Sequence, residues 1–172
     1  MKKGQVWIET VIYILVGLSL ISLILAFAIP KVNEKRDRAI IEQMINSLVV
    51  LDGKINEVID AGEDNRRIVD FSMKTGSLYF DSSNERISFI LDELNKPYSE
   101  PGVKIPLGRV IVETIKKQKT FNINLSLEYP GTDLTFQGRN DLKKFNPASI
   151  PYKFSIENKG IVDGKLNVDI SL

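Results

Sequence analysis

The sequence KKGQVWIETVIYILVGLSLISLILAFAIP, residues 2–30, decides how the rest of the chain can fold. Its stretch from Val11 to Ile29 is uncharged and almost entirely apolar. An α-helix rises about 1.5 Å per residue, so this stretch would be roughly 28 Å long, close to the hydrocarbon thickness of a bilayer. Backbone groups in lipid must pair within their own segment, which a helix achieves. We therefore predict an apolar transmembrane helix over residues 5–30.

The residues around this helix are unusual for a secretory signal. Such a signal is cut after its apolar core, at a site of small residues such as A-x-A. Ala26 and Ala28 have that spacing, but Pro30 and Lys31 follow closely. A basic head, Lys2-Lys3, is instead followed directly by Gly4. The sequence thus favours retention of the apolar segment.

The arrangement resembles the class III signal peptide of archaeal type IV pilins and archaellins, and the resemblance covers residues 1–30. In that family a membrane peptidase cuts after the glycine and ahead of the apolar segment. The resemblance implies cleavage between Gly4 and Gln5, so that residues 1–4 form a basic leader. It also implies that Glu9 acts in assembly, by receiving the amino group of Gln5 from a neighbouring subunit.

Glu9 needs a physical explanation of its own. A carboxylate on a membrane helix costs roughly 2.5–3.5 kcal/mol near the bilayer centre and less near an interface, so such a group usually has a partner. If Gln5 becomes the first residue, its α-amino group has an ordinary pKa of about 7.7–8.0 and lies one helical turn from Glu9. The residues alone leave three alternatives open, namely a pair within the chain, a pair between subunits, and a solvated carboxylate at the headgroup level.

The composition limits the classes of function that this chain can have. The net charge is +1, and the chain contains neither Cys nor His. Histidine is the commonest metal ligand and general base, and no carboxylate constellation replaces it. No basic stretch is interleaved with aromatic residues as nucleic-acid binders require. We therefore predict a protein that is not an enzyme and has no cofactor, no bound metal and no nucleic-acid partner.

A second helical segment follows the apolar one. Pro30 removes a helix hydrogen bond and predicts a kink or short break. Residues 31–62 then continue as an amphipathic helix that ends near Gly62, which suits a left-handed cap. Its apolar residues alternate steps of three and four, a pattern typical of a helix packed on a sheet, with a self-associating coiled coil as the alternative: Ile41, Met44, Leu48, Leu51, Ile55 and Val58.

From residue 63 onward the pattern changes to the alternation of a β-rich head domain. We predict a meander of three strands over 67–73, 77–81 and 86–91, and further strands at 109–116 and 121–129. Pro130-Gly131 suggests a turn that returns residues 134–137 as the hairpin partner of the preceding strand. Residues 138–151 are expected to be irregular, with two last strands at 152–156 and 166–170. Strict alternation indicates antiparallel sheets with one buried face.

One modification motif lies within the cleanest strand pattern. Asn124-Leu125-Ser126 is an N-glycosylation sequon, and alternation places Asn124 on the solvent face. Glu128, Asp133 and Asp141 lie near a turn, but their spacing matches no calcium loop, so a solvated surface is the better interpretation. Asn124 therefore remains the candidate glycosylation site.

These observations predict an α+β chain in which a long N-terminal helix, kinked near Pro30, packs on an antiparallel β head over 63–172. The resemblance implies a pilin-like structural subunit, single-pass in the membrane before assembly and then part of a cell-surface filament that serves adhesion or another role. Its implied partners are a prepilin peptidase, membrane lipid, the pilus assembly machinery and identical or related pilin subunits.

The alternative is an uncleaved signal anchor that carries an extracytoplasmic β-rich binding domain. The charge distribution bears on this choice, because basic residues lie on both sides of the span. Lys2 and Lys3 precede it, while four basic residues follow it: Lys31, Lys35, Arg36 and Arg38. Counted simply, the positive-inside rule would place the β domain in the cytoplasm. The class III cleavage arrangement favours a dedicated export route instead.

Overall fold

The computed structural model describes residues 3–172, with side chains from Trp7 onward. The predicted leader therefore falls partly outside the described residues, since Met1 and Lys2 are not among them. A single helix, α1, runs from Lys3 to Ala61. In the described part of the chain, ten strands and one short 3-10 helix (Ser82–Asn84) follow it. The strands are β1 (Arg66–Phe71), β2 (Ser77–Asp81), β3 (Arg86–Leu94), β4 (Lys104–Leu107), β5 (Val110–Lys116), β6 (Phe121–Glu128), β7 (Thr132–Phe136), β8 (Leu142–Phe145), β9 (Tyr152–Val162) and β10 (Lys165–Ser171).

The α+β class is confirmed, since α1 precedes a C-terminal domain made mostly of antiparallel strands. Helix α1 is continuous through Pro30, so the break expected as one alternative does not occur. The other alternative, a kink at Pro30, stays a prediction.

The chain divides into two compact units, Met1–Ala39 and Ile40–Leu172. The apolar segment belongs to the first unit, and the amphipathic part of α1 belongs to the second together with all ten strands.

The amphipathic stripe of α1 lies in the hydrophobic core of the second unit, as its spacing predicted. Its members are at most 3% exposed and share one core cluster with residues of both sheets: Ile41, Met44, Leu48, Leu51, Ile55 and Val58. The helix ends as expected at Gly62, which has a φ of 88° and donates its amide hydrogen to Ile59 O. Because glycine adopts positive φ without a Cβ clash, this residue can close the last turn.

The strands form two sheets that face each other across this core. One sheet has the order β1-β9-β10-β7, and the other has the order β4-β5-β6-β3-β2-β8. Aromatic rings join them, since the Phe80 ring of the larger sheet lies 5.8 Å from Phe136 and 5.1 Å from Phe154 of the smaller one. Alternation along each strand therefore directs one face of each sheet into a shared interior.

Several predicted pairings were wrong. Strand β1 pairs with β9 in the smaller sheet, so β1, β2 and β3 do not form a meander. Strand β7 is not the hairpin partner of β6, because the chain crosses to the other sheet after Tyr129 and β7 pairs in parallel with β10. The head is thus rich in antiparallel pairs without being wholly antiparallel. Alternation identifies the buried face of a strand but not the strand that lies beside it.

Two short strands were missed. Strand β8 lies within residues 138–151, which we expected to be irregular, and β4 follows the proline-containing loop of residues 95–103. In β8 only Phe145 is buried, and β4 has no buried residue. Segments of four residues with so few buried positions do not show an alternating pattern. They are edge strands, positioned by their neighbours β2 and β5.

Candidate functional site in the apolar helix

The apolar segment of the first unit is exposed along its whole length. Within residues 12–29 the large hydrophobic side chains are between 49% and 73% exposed. The most apolar window of the helix has a mean hydropathy of 2.7, and none of that window is buried within the chain. A continuous apolar surface of this extent marks a membrane or protein interaction site. By length and composition, this helix can cross a membrane once.

The two serine hydroxyls inside the segment bond to the backbone of the helix itself. Ser19 Oγ donates to Leu15 O at 2.8 Å, and Ser22 Oγ donates to Leu18 O at 2.8 Å. A hydroxyl bonded to the preceding turn adds little cost in lipid, because no donor is left without an acceptor. Ser19 also lines a shallow surface groove of about 330 Å³ with five apolar residues: Ile12, Leu15, Val16, Leu20 and Leu23. The segment is therefore compatible with lipid and offers a groove for packing against an apolar side chain.

Charged residues mark both ends of this segment. Glu9 is exposed and forms no ion pair with any residue whose side chain is described. At the other end, Lys31 Nζ lies 3.8 Å from Glu34 Oε2, and the two side chains are 76% and 36% exposed. Such surface pairs contribute little stability. Glu9 thus lies at the start of the apolar surface as a charge without a partner among the described side chains.

The predicted cleavage residues, Gly4 and Gln5, fall at the N-terminal end of α1. The side chain of Gln5 lies outside the described ones, and the amino group that would pair with Glu9 exists only after cleavage. Cleavage and the pairing of Glu9 therefore remain predictions. Pro30 lies inside α1 at the end of the apolar segment.

A buried polar cluster, which sequence reasoning missed, fixes α1 to the β domain within the second unit. Asp52 is only 8% exposed, and its Oδ1 accepts a hydrogen bond of 2.9 Å from the Tyr129 hydroxyl. Arg109 Nε lies 3.1 Å from the same oxygen, and its guanidinium stands over the Tyr129 ring at 5.3 Å. Burial, followed by the nearby Asp52 charge, raises the pKa of the Tyr129 hydroxyl far above its ordinary value. The hydroxyl therefore stays a proton donor, and the carboxylate keeps two partners.

The sequence does contain a signal for this cluster. Asp52 follows Leu48 by four residues and precedes Ile55 by three, so it lies on the stripe that the core buries. A carboxylate in that position requires a partner, because an unpaired buried charge is costly. The partners could not be identified, because Arg109 and Tyr129 lie far along the chain and are brought together by the β4–β5 and β6–β7 turns.

A second buried residue fixes the end of α1. Asn158 is 1% exposed, donates to Val58 O at 3.2 Å and accepts from the Gly160 amide at 2.8 Å. Its backbone exchanges hydrogen bonds with Asp64 N and Asn65 O, at 2.9 and 3.0 Å. The last turn of α1 and the start of β1 are thus tied to the middle of β9. The amphipathic part of α1 is an integral part of the β domain.

A cleft of about 390 Å³ opens beside the Asp52 cluster, between α1 and the larger sheet. Arg109, Glu128, Tyr129 and Asn56 supply its polar groups. Arg109 and Tyr129 are engaged with Asp52, and Glu128 pairs with Arg86 at 2.9 Å. No nucleophile and base are paired there among the described residues, and no group of three or more described Asp or Glu side chains is placed to hold a metal.

Asn124 lies in the centre of the larger sheet. It is half-buried in β6, opposite Ile90 of β3 and Glu113 of β5. Its Oδ1 atom is buried and has no hydrogen-bond partner among the described residues, and Ser126 of the sequon is only 6% exposed. Glycosylation of Asn124 remains a prediction, and in the folded chain it would have to occur on a paired central strand.

Comparison of the chain with protein-family models, with curated proteins and with solved structures gives no match.

Proposed function

We propose that this chain is a structural subunit, a major or minor pilin-like protein, of an archaeal type IV pilus-like surface filament. The observation that carries the proposal is the exposed apolar segment from Val11 to Ile29, preceded by Lys2-Lys3-Gly4-Gln5 and Glu9. That order of basic head, glycine, carboxylate and apolar helix resembles the class III signal peptide. A folded β domain of residues 40–172 accompanies it, as a subunit displayed on a cell surface requires.

The physical basis of assembly is the exposed apolar surface. In the membrane, lipid covers the side chains of this segment, and its serine hydroxyls bond to the helix backbone. Once the subunit leaves the lipid, each large apolar side chain left in water would forfeit about 1.5–3 kcal/mol of burial. Identical helices from neighbouring subunits can cover it. Extraction and polymerisation are thereby coupled, and contacts that do not close on themselves produce a fibre.

Glu9 and Gln5 give this assembly its register. After cleavage behind Gly4, the new α-amino group of Gln5 is a cation near neutral pH, since its ordinary pKa is about 7.7–8.0. Glu9, which has no ion pair with a described side chain, is its complement on the adjacent subunit. The prepilin peptidase and the pilus assembly machinery are the proposed partners before the filament forms. The filament is the proposed final location, with adhesion as a candidate role.

Pro30 has a proposed part in the same process. Its ring nitrogen carries no hydrogen, so one hydrogen bond is missing from α1 at the end of the apolar segment. We propose that α1 kinks there, which would allow the helix to adapt as the subunit passes from lipid to filament.

The test is the distribution of the chain in its native host between sheared surface filaments and the membrane fraction. A filament subunit is recovered in both fractions. A signal anchor with an extracytoplasmic β-rich binding domain, the alternative, is recovered only with the membrane. Absence of the chain from sheared filaments would contradict the proposal.

A further inference from the structure

The two ends of the β domain carry opposite charges. We call the end whose loops are rich in carboxylates the acidic end, and the end whose loops are rich in lysine the basic end. The acidic end comprises the loops at 62–65, 82–85, 108–109, 129–131 and 163–164. The basic end comprises the loops at 72–76, 95–103, 117–120 and 146–151.

Backbone and side-chain contacts hold the loops of the acidic end together. Tyr129 N donates to Glu85 O at 2.9 Å, and Lys165 Nζ lies 2.6 Å from Glu85 Oε1. Asp64 N donates to Asn158 O in the middle of β9 at 2.9 Å, so loop 62–65 lies beside the half of β9 that ends at Val162. The loops at 82–85 and 129–131 and the start of β10 therefore form one continuous end of the domain, and loop 62–65 lies on the same half of the smaller sheet.

The loops of the basic end are held in the same way. Gly102 N donates to Thr114 O at 2.8 Å, and Ala148 N donates to Met73 O at 3.0 Å. Strand β3 fixes the distance between the two ends, because it begins directly after Glu85 and its last residue, Leu94, pairs with Phe121 beside loop 117–120. Nine residues of strand correspond to roughly 30 Å. Charges at the two ends are thus too far apart to neutralise each other within one subunit.

Lysine dominates the basic end. Its loops carry four exposed lysines and a single acidic residue, Glu100: Lys74, Lys96, Lys117 and Lys119. Two more exposed lysines, Lys104 and Lys116, lie at the adjoining strand termini. The exposed carboxylates Asp92 and Glu93 lie near the end of β3, so lysines still outnumber carboxylates at this end. Lys117 and Lys119 flank the tip of the β5–β6 hairpin, where Lys117 N donates to Thr120 O at 2.8 Å. This end therefore presents a positively charged surface.

Carboxylates dominate the acidic end. Glu63, Asp64 and Asp163 are exposed, and Glu85 is half-buried against Lys165. The only basic residue in these loops is Arg109, whose charge is directed at the buried Asp52. Three more basic residues begin the adjoining strands, and each is paired with a carboxylate: Arg66, Arg86 and Lys165. The remaining three carboxylates form no ion pair within 4.0 Å among the described residues. This end therefore presents a negatively charged surface.

We propose that subunits stack along the filament with the basic end of one copy against the acidic end of the next. The inference rests on the proposed filament function. The two surfaces differ, so the contact is heterologous and repeats without closing, as a fibre requires. Complementary potentials steer approach and fix register, and the overall net charge of +1 does not oppose association of copies. An anionic lipid surface would engage the basic end only and would leave the acidic end without a counterpart.

The test uses charge reversal in the full chain, expressed in its native host, with the amount of subunit in sheared filaments as the readout. Lys117→Glu with Lys119→Glu should lower the filament fraction about fivefold or more, since two charge pairs become repulsive. The matched control is Lys143→Glu with Lys144→Glu in β8, which makes the same charge change outside both ends and should leave the fraction unchanged.

Changing the charges of the acidic end should rescue filament assembly by the Lys117→Glu, Lys119→Glu variant. Adding Glu63→Lys, Asp64→Asn and Asp163→Asn to the first variant places positive charge at the acidic end, where it can pair with the new glutamates of the 117–120 loop. Asparagine is chosen because Asp64 and Asp163 have φ values of 62° and 50°, which asparagine tolerates. Recovery of most of the filament fraction supports stacking of copies. A reduced fraction without rescue would overturn it and assign the basic end to another anionic partner, such as the lipid surface.

Cross-linking provides a measurement that does not depend on charge. The chain has no cysteine, so Glu63→Cys with Lys119→Cys introduces one thiol at each end. Treatment of filaments with a short bismaleimide should give a ladder of covalent multimers, whereas Glu63→Cys with Lys143→Cys should not. Filaments that form normally yet give no ladder would overturn the stacking alone. Absence of the wild-type chain from filaments would remove the proposed function as well.

Discussion

The Tyr129 hydroxyl donates a hydrogen bond of 2.9 Å to Asp52 across the interior between the β domain and α1. Asp52 belongs to the helix and Tyr129 follows β6, 77 residues later in the chain. The pair, completed by Arg109, means that the second half of α1 is part of the core of the β domain.

The first prediction follows from the division into two units. A fragment lacking residues 1–30 should be soluble and rich in β structure, because the amphipathic part of α1 and all ten strands remain together. Far-ultraviolet circular dichroism and a single cooperative urea transition should confirm this. A fragment that ends its deletion at residue 58 instead removes the buried stripe and should not fold. Strand signal absent from the longer fragment would show that the domain needs the apolar segment.

Tyr129→Phe in this fragment should lower the free energy of unfolding by about 1–3 kcal/mol, because the buried Asp52 loses a donor. The matched control is Tyr79→Phe, since Tyr79 lies half-buried on the outer face of β2 beneath Lys144. Removing that hydroxyl should change stability by less than about 0.5 kcal/mol. The midpoints of urea unfolding give both values. Equal effects of the two substitutions would show that the Asp52 pair does not stabilise the domain.

The same cluster predicts a dependence on alkaline pH. Burial and the Asp52 charge raise the pKa of Tyr129 in the folded chain above its unfolded value of about 10. A raised pKa of this kind contributes stability that is fully present below about pH 10 and is lost as the pH rises above it. Wild-type fragment should therefore lose stability above about pH 10 more steeply than Tyr129→Phe. Parallel pH profiles for the two proteins would contradict the assignment.

Glu9→Gln tests whether the Glu9 carboxylate takes part in assembly. The substitution removes the charge and keeps the shape, so the variant should be made, inserted and cut after Gly4 as before. It should enter filaments slowly, because charged pairs guide approach and register more than they add affinity. Ile8→Val, a small apolar change beside Glu9, is the control and should be tolerated. The readout is the time course of subunit appearance in sheared filaments. Identical time courses for all three chains would exclude Glu9 from assembly.

Periodicity predicted the parts of the fold that depend on local pattern. The stripe from Ile41 to Val58 and the cap at Gly62 could be read from the sequence, since a helix face and a left-handed turn are properties of neighbouring residues. The partner of β7 could not, because Pro130-Gly131 suits a turn whether the chain returns to β6 or crosses to the other sheet. Which strand lies beside which is decided by packing of the whole core, as the parallel pairing of Val168 with Leu134 illustrates.

Some features of the candidate site could be predicted from the sequence and others could not. The exposed apolar segment and Glu9 were identifiable because membrane length and an isolated charge are visible in the sequence. The Asp52 cluster was not, because its three members come from separate turns and one helix. The charged ends of the β domain also escaped notice, since Lys74, Lys117, Glu63 and Asp163 are scattered along the chain and are gathered only by the strand order.

The most direct test of the central claim is the intact mass of the chain recovered from sheared filaments of its native host. The account predicts a subunit that begins at Gln5, with the apolar segment retained. In cells that carry Gly4→Val, the chain should stay in the membrane with residues 1–4 attached, because a branched side chain would crowd the small site of the peptidase. A chain that is found only in membranes and begins at Met1 or Lys2 in the wild type would contradict the account and identify a signal anchor.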